Sequence, residues 1–382
     1  MPNPLWISGA MYLYYYMALG SYMPYINLYY QRMGLSGIQI GILSALPVLI
    51  TTSTVLIWGS IADAFNWHRS ILRINLLLSA GAILLLSTAS NFQGLIPFVV
   101  AYAFFTSPIV PLLDSSALEA IQGSNRSYGD MRVWGSVGWS ISTLLVGVFI
   151  QQFNIRWLFF CYVAIILLTF IISLFQPEQK QALKSSVIRG LKDLMSTPFI
   201  VFLLSIFLIS LTLGAANSFF SIYLDSIGAR EGSIGLGWAV ASISEIPIML
   251  FSGYLIRRIG ASGLLKISFI TFFARWLLYS FISTPSLAIL VQFLHGLSFA
   301  TYLVGSVTYV NERAPEGMRT SALSVLNIAA FGVGSISGSL IGGYLYETAG
   351  MTWLFRSLSL IAVGGFVLFL VSQRRSMEAA YS

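Results

Sequence analysis

Long stretches of this chain are continuously apolar, with no charged residue. Leu158–Phe175 and Ile200–Leu213 are two of them, and similar runs recur from one end of the sequence to the other. About 20 consecutive apolar residues span a bilayer as an α-helix. Inside hydrocarbon every backbone amide needs a partner within its own segment or a closed sheet, which leaves helices and closed barrels as the available forms. Barrel strands alternate apolar and polar positions over about ten residues, and these runs do not alternate. An all-α membrane protein is therefore the expected fold class. Composition agrees: 57% of residues are hydrophobic and 9% charged, against roughly a quarter charged in soluble domains.

The apolar pattern predicts twelve helices, at 5–30, 37–61, 70–89, 94–120, 131–152, 156–175, 199–223, 232–257, 262–282, 286–310, 320–346 and 352–372. The first run starts at Leu5 with no basic region ahead of it, so no cleavable signal peptide is expected. One linker is long: 176–197 carries Glu178, Lys180, Lys184, Arg189, Lys192 and Asp193 and falls midway along the chain. It divides the sequence into an N-terminal six-helix bundle, 1–175, and a C-terminal one, 198–382.

The net charge of +7 resides in short loops, where it sets orientation rather than inviting nucleic acid. With both termini in the cytoplasm, only Arg32, Arg156, Arg230 and Arg356 of the 20 Lys and Arg residues fall outside, and Arg275 lies within a helix. The positive-inside rule then places both ends in the cytoplasm, and a multi-pass protein of the cell inner membrane is expected. The lone Cys161 has no disulfide partner in the chain and is read as packing.

The halves resemble each other. Tyr29 and Tyr223, Gly34 and Gly228, Ile40 and Ile234, Gly41 and Gly235, and Gly59 and Gly253 all stand 194 apart. Late in each half, Gly147 and Trp157-Leu158-Phe159 match Gly343 and Trp353-Leu354-Phe355 at an offset of 196. Internal repeats of this kind mark transporter folds that hold substrate near mid-membrane.

At this point the chain resembles the major facilitator superfamily. The loop after the second predicted helix reads Gly59-Ser-Ile-Ala-Asp63-Ala-Phe-Asn-Trp-His-Arg69, close to that family's glycine, aspartate and basic signature, with Ala64 where a basic residue is usual. Pro111-Leu-Leu-Asp114, the run Tyr128-Gly129-Asp130-Met131-Arg132-Val-Trp134-Gly135-Ser136-Val-Gly138-Trp139, and Gln292-Phe-Leu-His295-Gly296-Leu-Ser298-Phe299 resemble the branch holding lactose permease and the phenylpropionate permeases. The resemblance implies the major facilitator fold of two pseudo-symmetric six-helix bundles. It assigns Asp114 and Arg132, 18 residues apart, to substrate binding, and Glu245, Arg275 and His295 to substrate binding and proton coupling. Gly59, Asp63 and Arg69 in the loop after the second predicted helix are expected to gate the inner side. Lactose permease has a carboxylate one turn after its histidine and a lysine one turn before, where this chain has Ser298 and Gln292. An arginine of the motif is Asp130 here. The phenylpropionate side of the branch accepts such residues and is the nearer likeness.

Residue chemistry alone leaves alternatives at each position. A charge within a spanning helix costs several kcal/mol, so it normally faces a wet cavity with a partner. Glu245, Arg275 and His295 fall at similar depths, and histidine titrates near neutral pH. They suit a proton-coupling network or a static ion pair locking helices. Asp114 and Arg132 suit a carboxylate- or hydroxyl-gripping site, because guanidinium presents a planar fork, or a salt bridge at the inner mouth. Asp63, with Arg69 and Arg73, forms an inner latch or a solvated loop. Tyr15, Tyr16 and Tyr22 are deep enough in the first helix to contact substrate, though packing and interfacial anchoring also use tyrosine. Asn217 and Asn327 are substrate contacts or interhelical hydrogen bonds.

No glycine-rich lysine loop for nucleotides is present, and His68 and His295, the two histidines, stand far apart without an HExxH zinc motif. Neither an enzyme nor a bound metal or cofactor is expected. The expectation is a monomeric secondary active transporter in a lipid bilayer. It moves a small organic solute, an aromatic carboxylate or something sugar-like, by alternating access with H+ symport. An efflux carrier of the same fold is the first alternative, and a non-transporting sensor or scaffold the second.

Overall fold

The protein was analysed as a computed structural model, which describes residues 3–122, 124–176, 196–315 and 318–381. The expected bundle linker, 176–197, lies almost wholly outside those residues. Helix follows helix: α1 Pro4–Arg32, α2 Gly37–Phe65, α3 His68–Leu86, α4 Phe92–Thr106, α5 Ile109–Ala120, α6 Tyr128–Gln152, α7 Trp157–Ser173, α8 Thr197–Ser226, α9 Glu231–Leu250, α10 Ser252–Tyr279, α11 Pro285–Val291, α12 Thr301–Arg313, α13 Arg319–Asn327 and α14 Ser335–Tyr381. Short π-helical stretches at Gly296–Ala300 and Ile328–Gly334 bridge α11 to α12 and α13 to α14. Among the described residues, nine helical spans are long and apolar enough to cross a membrane. Leu145, Leu250 and Leu360 on their outer faces are exposed, as side chains meeting lipid must be.

Where an element starts or breaks, the sequence explains it. Asn3 and Asn91 cap α1 and α4 by accepting from the Leu5 and Gly94 amides. Ser127 and Asp130 form a capping box at the start of α6, so the acidic residue that departs from the family motif is the one that closes this helix start. The predicted helix 94–120 is two elements. Pro108 has no N–H to give the Phe104 carbonyl, and Trp58 Nε1 donates to that carbonyl instead at 3.0 Å. Gly260 and Gly350 take positive φ, 69° and 80°, and turn the chain within α10 and α14.

The described chain groups into two compact units. The first comprises Met1–Leu35, Leu46–Lys184 and Leu224–Ala239, and the second Ser36–Ala45, Ser185–Tyr223 and Val240–Ser382. In the first, α1 packs on α6 and α7. Gly138 permits this, because a Cβ there would strike the Leu13 carbonyl. Its core is aromatic: Tyr22 sits among Tyr102, Phe159 and Tyr162. In the second, α10 packs on α12 and α14, with Phe269 stacked on Phe369 and Trp276 on Phe355.

Candidate functional site

Two polar clusters stand out in otherwise apolar helices, one in each unit. In the first unit the break at Pro108 starts α5, which carries Asp114, and the capping box starts α6, which carries Arg132. The two residues form no ion pair. Asp114 Oδ1 accepts from the Tyr12 hydroxyl and from the Tyr128 hydroxyl, the latter at 3.0 Å. Arg132 lies over the Tyr16 ring, 4.4 Å from its centroid, and 5.8 Å from that of Tyr12. Those two rings stack at 6.3 Å. Gly135 leaves the space, since a Cβ there would come within 3.0 Å of both Arg132 Nη1 and the Tyr16 ring. The arrangement presents a half-exposed guanidinium, an aromatic face and a carboxylate whose second oxygen is uncommitted among the described residues. It can accept from one part of a ligand, donate to another and stack on a flat or hydrophobic face.

In the second unit Glu245 on α9 meets His295, whose Nε2 lies 3.1 Å from Glu245 Oε1. Gly296 makes this approach possible. Its N–H donates to Ser244 Oγ at 2.9 Å, and a Cβ on it would strike the Ser244 carbonyl. Arg275 does not join the pair. Only 2% exposed, it donates through Nη1 to Ser298 Oγ at 2.6 Å and through Nη2 to Gln292 Oε1 at 2.7 Å. It forms no salt bridge among the described residues. The residues that hold it are the two that replace the charged groups of lactose permease. A π-helical segment carries Ser298; such segments widen a helix turn and recur at functional sites.

The other expected positions separate by environment. Tyr16 belongs to the Arg132 cluster. Tyr15 and Tyr22 are 2% and 5% exposed and pack within the first unit's aromatic core. Asn217 and Asn327 are exposed on helices whose other faces are buried. Asp63 bonds His68 Nε2 at 3.1 Å, and Arg73 donates to the Ser173 and Leu174 carbonyls that end α7. Gly59 is exposed with open space about its Cβ position, and Arg69 is half-exposed beside these groups. Sequence reasoning missed Tyr12 and Tyr128 as partners of Asp114, and Gln292 and Ser298 as partners of Arg275. Spacing held the signal. Tyr128 is four before Arg132 and Tyr12 four before Tyr16, while Gln292 and Ser298 flank His295 by three on either side, all helical neighbours.

A family model described as the MFS_1 like family matches residues 5–357. The maltose permease of Geobacillus stearothermophilus is 29% identical, with 96% of this chain and 94% of that protein aligned. The probable 3-phenylpropionic acid transporter of Escherichia coli strain K12 is 25% identical, with 92% and 94% aligned. Among solved structures, a mutant form of the nucleoside transporter NupG superposes with a TM-score of 0.89 at 15% identity, covering 97% of this chain and 100% of that one. At so low an identity the superposition speaks to the fold alone.

Proposed function

The chain belongs to the MFS_1 like family, so it is a multi-pass membrane transporter of the major facilitator superfamily and not an enzyme, and on that premise we propose that it is a proton-coupled symporter for a neutral or weakly acidic organic solute. The working form is a monomer of twelve spans in two six-helix halves, 1–175 and 198–382, with both termini cytoplasmic. The halves alternate access to the two sides of the membrane. Gly59, Asp63 and Arg69 gate the inner side.

The observation that carries the substrate assignment is the Asp114 cluster, with its uncommitted carboxylate oxygen, its ring-supported arginine and its stacked tyrosines. A sugar offers hydroxyls that both donate to Asp114 and accept from Arg132. An aromatic carboxylate offers a ring for Tyr12 and Tyr16 and oxygens for Arg132. Names of relatives support each class, maltose on one side and 3-phenylpropionic acid on the other. Tyr15, Tyr22, Asn217 and Asn327 complete the set of substrate candidates, Tyr15 and Tyr22 through packing behind Tyr16.

Proton coupling rests on Glu245 and His295, a carboxylate and an imidazole in direct contact within a spanning bundle. Protonation of that pair favours one reorienting form, because a ligand shifts an equilibrium only by binding its two states unequally. Arg275 supplies a fixed positive field beside it. Uptake of radiolabelled maltose and 3-phenylpropionate into proteoliposomes, with and without an inward pH gradient, tests the assignment. Accumulation driven by the gradient is expected, and transport indifferent to it removes the symport.

A further inference from the structure

The repeat between the sequence halves builds one surface turn twice and gives the two copies opposite charge. The first unit contains Leu56-Ile57, Gly59, Asp63-Ala64 and Asn66, and the second, at an offset of 194, contains Leu250-Phe251, Gly253, Arg257-Arg258 and Gly260. Shape repeats with position. Leu56 and Ile57 are exposed, and so are Leu250 and Phe251, the latter two at 75% and 62%. Both glycines are exposed on their helices. Asn66 and Gly260 each turn the chain at positive φ, 53° and 69°. Where the first copy has Asp63 and Ala64, the second has two arginines.

Asp63 is engaged by His68. Arg257 and Arg258 are both exposed, and neither forms a salt bridge with a described residue. Their heads lie back toward the start of α10, the direction in which helical side chains lean. Arg257 Nη1 is 3.6 Å from where a Cβ on Gly253 would stand, and Arg258 Cζ is 5.6 Å from the centroid of the exposed Tyr254 ring. Two unpaired guanidiniums therefore flank the notch that Gly253 leaves, with exposed Leu250 and Phe251 two and three residues before it. A guanidinium fork matches phosphate oxygens, and basic groups at a membrane surface attract anionic headgroups. A zwitterionic headgroup brings its own cation to the arginines, whereas an anionic one does not. Free phosphate makes no use of the apolar pair, which acyl chains can cover.

We propose that the Arg257–Arg258 turn is a binding site for an anionic phospholipid, whose phosphate is taken by the two guanidiniums over Gly253 and whose acyl chains lie along Leu250 and Phe251. The matching turn in the first half presents the Asp63 carboxylate and repels the same headgroup, so this lipid is taken on one half of the sequence. The site requires only that the chain spans a membrane and is independent of the symport reading. On the orientation proposed above it faces the inner leaflet.

Native mass spectrometry of the whole protein, purified in detergent and stripped of lipid, tests this. The probes are dioleoyl-phosphatidylglycerol, dioleoyl-phosphatidylcholine and inorganic phosphate. The first phosphatidylglycerol is expected to bind about twentyfold tighter than the first phosphatidylcholine, because each arginine near an anionic lipid contributes about fivefold. Arg257→Gln together with Arg258→Gln is expected to abolish that preference. Arg319→Gln, which removes an exposed arginine at the start of α13, is expected to leave it intact. Should the double variant not fold, the two single changes carry the test, each expected to weaken phosphatidylglycerol binding by about fivefold. Equal affinity for the two lipids overturns the site, as does a preference that survives the loss of both arginines. A loss of the same size in Arg319→Gln reduces the attraction to diffuse charge and overturns it too. Displacement of phosphatidylglycerol by inorganic phosphate at equal concentration assigns the arginines to a soluble anion and overturns the lipid.

Discussion

The clusters around Arg132 and Arg275 use the same residue in opposite ways. Each cluster contains an arginine and a carboxylate, and in each the arginine and the carboxylate form no ion pair with one another. In the first, Asp114 is held by tyrosine hydroxyls and Arg132 rests half-exposed on the Tyr16 ring. In the second, Arg275 is sealed at 2% exposure with Gln292 and Ser298 as its acceptors, and the acid is engaged by His295 instead. On the proposed reading the half-exposed arginine is a binding group. The sealed one, whose Nη1 and Nη2 both donate to buried neutral oxygens, is on that reading a structural and electrostatic fixture.

That contrast breaks most readily at Arg275. Arg275→Ala leaves the Gln292 amide oxygen and Ser298 hydroxyl buried without their donor, at a cost of about 2–4 kcal/mol. A drop of several degrees in the melting temperature of detergent-purified protein is expected, with loss of uptake. Arg132→Ala is expected to melt near the parent and to weaken substrate binding by about tenfold or more, the effect of one charged hydrogen bond, as read by calorimetry. Equal destabilisation by the two variants erases the distinction drawn here.

The acids differ next. Glu245→Gln and His295→Gln are expected to retain substrate exchange at zero gradient while losing the response of uptake to a pH gradient. Asp114→Asn is expected to lose exchange itself. Tyr128→Phe removes one of two hydrogen bonds on Asp114 and is expected to weaken binding by roughly fivefold, about 1 kcal/mol, without altering pH dependence.

Much of this was legible in the sequence. The spanning helices follow from uncharged runs, and their boundaries fell within a few residues of α1, α2, α3 and α6. The break at Pro108 was readable from proline chemistry yet was merged into one helix, since hydropathy is blind to a missing amide. Arg275 illustrates the limit more sharply. Depth along a helix placed it beside Glu245 and His295, but direction around the helix gave it Ser298 and Gln292. The same limit held at Asp114. A spacing of 18 names two residues without saying that tyrosine hydroxyls from α1 and the start of α6 will stand between them.

The sequence by itself determined that the chain lives in a membrane, that it is helical, that its halves repeat and which few polar residues have to be explained. These are properties of hydrophobicity and spacing along one dimension. Which donor meets which acceptor was decided only by tertiary structure. That choice depends on the rotation of each helix about its axis and on where glycine lets two backbones touch, and a shift of one residue in either exchanges one hydrogen-bond partner for another.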